Sequence, residues 1–231
     1  MTIYEMHVTF RTIAQQMGMQ LFRAILPESI DTYLNFSIRE LTQNIIASNV
    51  SEPYKDKLTH QDNKISPVNS LRTLVKNITL SSSGASYKGD EPKFVMNINN
   101  SVLTYKPMYF TSFSIIKENN VYGCRFVEND KISVLLRDFC NKPTLQEPIV
   151  VLHNDDGIGS RDLDIYVGGN KSFDSVNITY LKHPDTVKYD PSGTSVNCDL
   201  PEHLHYKVVE LAVTKYVQSV NLSAQTIKEQ K

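Results

Sequence analysis

The sequence has no tryptophan, and only nine glycines and three cysteines among its 231 residues. So few glycines exclude a collagen-like repeat. Three widely spaced cysteines, Cys124, Cys140 and Cys198, exclude a disulfide scaffold and read as buried thiols of a reducing compartment. No apolar run approaches the ~20 residues that a bilayer-spanning helix needs. The first ten residues carry Glu5 and His7 and lack the basic-then-apolar order of a signal peptide, so a protein made in the cytosol, with no membrane partner, is expected. An excess of either charge is also missing, with 24 basic against 25 acidic side chains. The balance holds locally: three basic and four acidic residues in the first fifty, seventeen of each over 51–197, and four of each in the last thirty-four. No stretch can neutralise a run of phosphates, which argues against tight nucleic-acid binding and selects nothing else.

What is present is an ordinary globular composition, 40% apolar and 21% charged, in a chain long enough for one large or two small domains. Helical spacing of Phe10, Ile13, Ala14, Met17, Leu21, Ala24 and Ile25 predicts a helix over 9–26, capped by Thr9 and ended by Leu26-Pro27. A second helix follows over 27–47, with Ile30, Tyr33, Leu34, Ile38, Leu41 and Ile45 on one face. Together these give an N-terminal helix pair within 1–50. The periodicity then vanishes in a polar, turn-rich loop or linker, 51–67.

Residues 68–197 change character, and Val, Ile, Thr, Tyr and Phe alternate with polar residues between turn clusters. Strands are expected over 71–80, 93–98, 105–116, 121–127, 132–137, 148–152, 163–167 and 175–182, with hairpin turns at 128–130 and 168–170. No helical pattern separates them, so the sheet is expected to be mainly antiparallel. A last helix is predicted from the Asp199-Leu200-Pro201-Glu202 start, a capping box with Pro201 in the first turn, to the end of 198–222, before a polar tail, 223–231. Its apolar residues form two adjoining stripes, Leu204, Val208, Leu211 and Ala212 beside Val209, Val213, Tyr216, Val217 and Val220. A helix so apolar needs neighbours on more than one side. The fold class expected is α+β, with terminal helices from both chain ends forming a bundle and an antiparallel β domain inserted between them.

Several motifs fail as chemistry. The Gly84–Gly89 spacing suggests a phosphate loop, but Asp90 and Glu91 follow where lysine and a hydroxyl are needed, so it reads as a turn. The acidic run from His153 to Asp164 lacks calcium-loop spacing and its closing glutamate, and reads as a polar loop whose Asp155, Asp156 and Arg161 contact a partner. His203 and His205 point apart on their helix, which suits exposed or interface residues better than metal ligands. Cys140 with His153 has neither a nucleophile elbow nor a helix N-terminus behind the thiol. No catalytic residue, cofactor or metal ligand is assigned.

The run Cys198-Asp199-Leu200-Pro201-Glu202-His203-Leu204-His205-Tyr206-Lys207-Val208-Val209-Glu210-Leu211-Ala212-Val213 is similar to a D-L-P-E/D-H-x-H-x-x-I-V-x-L-A-V ending of virion ring proteins of crAss-like bacteriophages. The preceding Tyr180-Leu181-Lys182-His183-Pro184 resembles the Y-x-K-x-P strand end before that helix. The motif covers about thirty-five residues, and the rest matches by element order. The resemblance implies a non-enzymatic structural subunit of the phage neck, a head–tail connector located in the virion. It would form a homo-oligomeric ring, usually of twelve copies, between the portal protein and other neck or tail rings. Such a ring would enclose the channel through which DNA and cargo pass without specific binding. Leu204, Val208, Leu211, Ala212, Val213 and Tyr216 are then expected to bury partly in the bundle and partly against neighbouring copies. Two competing readings are a tail or baseplate component of the same particle and a small metal-dependent hydrolase centred on His153–Asp164.

Overall fold

The computed structural model describes residues 1–17, 25–50, 70–88, 93–98, 103–154, 161–168 and 172–229. Among these the protein is α+β, with four α-helices, nine strands in two mostly antiparallel sheets, and helices at both ends of the chain. It divides into a helical unit, Met1–Leu74 with Pro184–Lys231, and a β unit, Val75–His183. The expected β domain of 68–197 is therefore narrower at both ends, and residues 184–197 belong with the helices.

In the helical unit, α1 spans Ile3–Gln16, α2 Pro27–Val50 and α4 Glu202–Glu229. Helix α1 is capped by Thr2, seven residues before the expected Thr9 cap. Thr2 Oγ1 accepts from Glu5 N (3.3 Å) while Thr2 N donates to Glu5 Oε2 (2.8 Å), a reciprocal box that satisfies two otherwise orphaned donors. Thr9 lies inside the helix and returns its hydroxyl to Glu5 O. The expected run to residue 26 stops at Gln16, and Leu21 and Ala24 lie outside the described residues. Proline at the first position of α2 suits its start, since its missing N–H has no partner to lose there. Helix α4 runs through most of the expected polar tail.

Helix α4 packs along both α1 and α2, which touch each other only slightly. The buried core of this unit is drawn from all three: Ile3, Met6, Phe10 and Ala14; Ile30, Leu34, Ile38 and Leu41; Val208, Val209, Ala212 and Val213. Tyr216 stands between its neighbours, with ring centroids 5.7 Å from Phe10 and 5.5 Å from Tyr33. Tyr33 Oη is hydrogen-bonded to Ser219 Oγ (2.8 Å), and Lys215 pairs with Glu40. Two apolar stripes on α4 thus correspond to two helical partners from the same chain.

The β unit is a sandwich with a helix on one outer face. One sheet has the order β1 (Val75–Ser81), β9 (Ser175–Lys182), β4 (Pro107–Lys117), β5 (Asn120–Gly123). The other has β2 (Ala85–Lys88), β3 (Lys93–Ile98), β8 (Arg161–Tyr166), β7 (Ile149–Asn154), β6 (Arg125–Phe126), with β6 parallel to β7. Alternation along the strands sends Phe113, Ile115, Val176, Ile178 and Tyr180 from the first sheet, and Met96, Ile98, Val150, Leu163 and Ile165 from the second, into one core.

Four local expectations are corrected. The expected strand over 132–137 is a helix, α3 (Asn129–Arg137), and 128–130 is its start rather than a hairpin turn. Ile132, Val134 and Leu136 alternate, but Ile132, Leu135 and Leu136 also have helical spacing; as a helix these three pack on Ile149, Val151 and Tyr166, leaving Val134 exposed. Asp130 near its start and Arg137 near its end suit the helix dipole. The expected strand over 121–127 breaks at Cys124, where the chain leaves one sheet for the other. The supposed turn after Gly84 contains strand β2. Gly168 opens no hairpin, because β8 and β9 lie in different sheets. Its φ is +79°, and a Cβ there would meet Pro143 O at 2.2 Å. Gly168→Ala is therefore expected to cost at least about 1 kcal/mol, read as a lower urea midpoint with unchanged slope; an unchanged midpoint would contradict this account of the turn.

Candidate functional site

The six α4 residues expected at an interface divide by burial. Val208, Ala212 and Val213 are fully enclosed within one chain, while Leu204, Leu211 and Tyr216 are half-buried. Packing against α1 and α2 of the same chain covers the fully buried residues, so burial against neighbouring copies is left to Leu204, Leu211 and Tyr216. Among the described side chains of α4 the large exposed hydrophobic ones are Tyr206, 59% exposed, and Val220, 36%.

The start of α4 is a built junction. Leu200 and Cys198 are buried, and Asn197 Oδ1 accepts from Ile3 N (2.9 Å), tying this segment to the first turn of α1. Asp199 Oδ2 accepts from Asp185 N (3.2 Å). His205, expected to be exposed or at an interface, is buried instead, and its Nε2 donates to Leu200 O at 2.7 Å. A carbonyl only accepts, so this nitrogen carries the proton. His203 is exposed. The two histidines therefore have different roles, with His205 holding the residues that lead into the helix.

A second junction lies outside every motif weighed in the sequence. Asp31 and Asn35, one turn apart on α2, interrupt the core-facing run of Ile30, Leu34 and Ile38. Asn35 makes two bonds with one residue, donating from Nδ2 to Val187 O (3.0 Å) and accepting from Val187 N (2.8 Å). Asp31 Oδ2 accepts from Tyr189 N (3.0 Å), and its Oδ1 accepts from His7 Nε2 (2.7 Å). Polar residues at core-facing positions are the signal that could have found it, since a buried polar group needs a partner.

In the β unit, the candidate loop is only partly placed. Asp155 and Asp156 lie outside the described residues. Arg161 begins β8, with its guanidinium 5.4 Å from the Phe110 ring centroid. Alternation puts His153, Asp162 and Asp164 on the outer face of the five-stranded sheet. Asp164, 3% exposed, accepts on Oδ2 from both Lys93 Nζ (2.8 Å) and His153 Nε2 (3.1 Å). Asp162 accepts from Asn97 Nδ2 (2.8 Å). Lys93 and His153 lie diagonally on either side of Asp164, so the cluster follows from strand register. Among the described residues, no group of three or more His, Cys, Asp or Glu side chains is arranged to hold a metal ion, and no helix is long and apolar enough to cross a membrane.

The three cysteines are free, and the expectation that all are buried is corrected for Cys124, which is half-buried, and Cys140, which is exposed. Burial pushes the Cys124 thiol up to about 12 and the Cys198 thiol up to about 11. Both stay protonated at neutral pH and are weak nucleophiles. Cys140 N donates to Asp138 Oδ1 (2.9 Å) in the turn after α3.

No protein-family model matches the chain, and no curated protein matches it.

The buried carboxylate of Asp164 accepts from a lysine and a histidine at once, so its removal takes a hydrogen bond from both. Asp164→Ala is expected to cost about 2 kcal/mol, and Lys93→Met less, because methionine fills the lysine's space. Chemical denaturation checks the order; a larger loss from Lys93→Met would contradict the central role of Asp164.

Proposed function

We propose that this protein is a structural virion subunit that forms an oligomeric ring in a phage neck, connecting the portal to the tail and enclosing the channel for DNA and cargo. The observation that carries the reading is the joining of both chain ends into one helical unit with a β unit inserted. That is the architecture expected from the element order, in a chain whose residues 198–213 resemble crAss-like phage ring proteins. The residues of that resemblance also have a physical role in this chain. Leu200, Pro201, His205, Val208, Val209, Ala212 and Val213 form the start and buried face of α4.

On this reading the ring is made by other surfaces than the buried stripe of α4. Leu204, Leu211 and Tyr216 retain partial exposure, and Tyr4, Phe36 and Tyr206 are each more than half exposed on the helical unit. A neighbour contact burying about 1,600 Å² in total belongs to the stable class, and closure of a ring adds avidity without new contacts. A half-buried helix face supplies little of that area, so subunits are expected to remain monomeric until a platform such as the portal collects them.

The test is incorporation. Tagged protein supplied during infection is expected in purified particles, and a reconstruction of the neck should place it in a closed ring, twelvefold on a twelvefold portal. Its absence from particles would overturn the proposal, and density confined to the tail or baseplate would replace the neck assignment with a tail one.

A further inference from the structure

The helical unit contains a buried titratable contact that the ring proposal does not use. His7 on α1 is 1% exposed. Its Nε2 donates to Asp31 Oδ1 of α2, and Nδ1 is buried with no hydrogen-bond partner. The other oxygen of Asp31 accepts from Tyr189 N, and the Tyr189 ring lies 4.9 Å from the imidazole, centroid to centroid. One carboxylate thus joins α1, α2 and the segment that leads from the β unit to α4.

We propose that the His7–Asp31–Tyr189 junction is a pH-sensitive latch, in which proton uptake by His7 releases Tyr189 from α2. A protonated imidazole has an N–H at both nitrogens, and Nδ1 has no protein acceptor in this buried site. To hydrate that donor the ring must turn outward. Asp31 follows its charged partner, so the Tyr189 amide loses its acceptor and the Tyr189 ring loses its contact with the imidazole, keeping the one with Tyr4 at 6.0 Å. The charged and titratable groups facing His7 are Asp31 from α2, Tyr189 from the connecting segment and Arg11 from α1 itself. Burial is the largest influence and holds the imidazole below its ordinary value; the hydrogen bond and charge of Asp31 oppose it, and Arg11 adds to the lowering.

The sign follows from linkage. With its folded value depressed, His7 takes up protons more readily in the unfolded chain. Its contribution to stability is complete above the ordinary imidazole range, near 6.5, and is lost as pH falls through the folded value. Asn35 does not titrate, and its two bonds to Val187 persist. The release is therefore local: it frees Tyr189 and spares Val187, two residues earlier.

Amide exchange of the full-length chain, corrected for intrinsic rates, reads this directly between pH 7.5 and 5.5. Protection at Tyr189 is expected to fall by up to about tenfold per pH unit where opening takes up one proton, while Val187 changes much less. His7→Gln keeps an N–H donor toward Asp31 without titrating and should make Tyr189 protection independent of pH. Constant or rising protection at Tyr189 on acidification would overturn the proposal, as would the same fall in His7→Gln. If that variant does not fold, the ring-proton titration of His7 in the native chain decides. A midpoint below 6.5 that coincides with loss of Tyr189 protection supports the latch, and a midpoint at or above 6.5 refutes it.

Discussion

The helical unit depends on α4 meeting α1 and α2 at once. Its buried valines and Ala212 lie on two sides of the helix, and a single partner leaves one side wet. Full burial of a valine is worth about 1.5–3 kcal/mol, so leaving one side uncovered costs several kcal/mol in a fold whose net stability is only about 5–15 kcal/mol. The two ends of the chain must therefore come together. The β unit accommodates this because its first and last strands pair, Val75 opposite Leu181. The chain leaves the helices and returns to them at neighbouring points, so an insertion of more than a hundred residues imposes little strain on the bundle.

The polar residues of the helical unit follow from the same closure. The segment 184–197 has to be held against the helices without forming a regular element of its own. Asn35 and Asp31 supply backbone-like partners to Val187 and Tyr189, and Asn197 supplies one to Ile3. Buried polar groups are costly when unpaired and specific when paired. These bonds fix where the segment lies, and the apolar core drawn from α1, α2 and α4 supplies most of the stabilisation.

Much of this is legible in the sequence. The 3.6-residue spacing locates α2 and α4, and the two stripes on α4 announce two neighbours. The alternating strands β3 and β9 match their expected ranges to the residue. Where expectation and structure part, the reasons are physical. The helical spacing of Phe10 and Ala14 continues back through Met6 to Ile3, directly behind the Thr2–Glu5 capping box, so taking Thr9 as the cap starts α1 too late. Residues 132–137 fit both periods, and packing on Ile149 and Val151 decides for helix. The two neighbours of α4 come from its own chain, because a stripe pattern states how much surface must be covered and not whose chain covers it. The Lys93–Asp164–His153 cluster needs strand register, which brings together residues 71 positions apart and is not written in local spacing.

Closure of the helical unit within one chain is tested most directly by the ion pair of Glu40 on α2 with Lys215 on α4. Zero-length carbodiimide coupling of an equal mixture of isotopically light and heavy protein, followed by mass spectrometry of the cross-linked peptides, distinguishes the two origins. The account predicts that the Glu40–Lys215 cross-link joins light to light and heavy to heavy only. Mixed light–heavy pairs at the statistical level would mean that α4 is completed by another copy, which contradicts it.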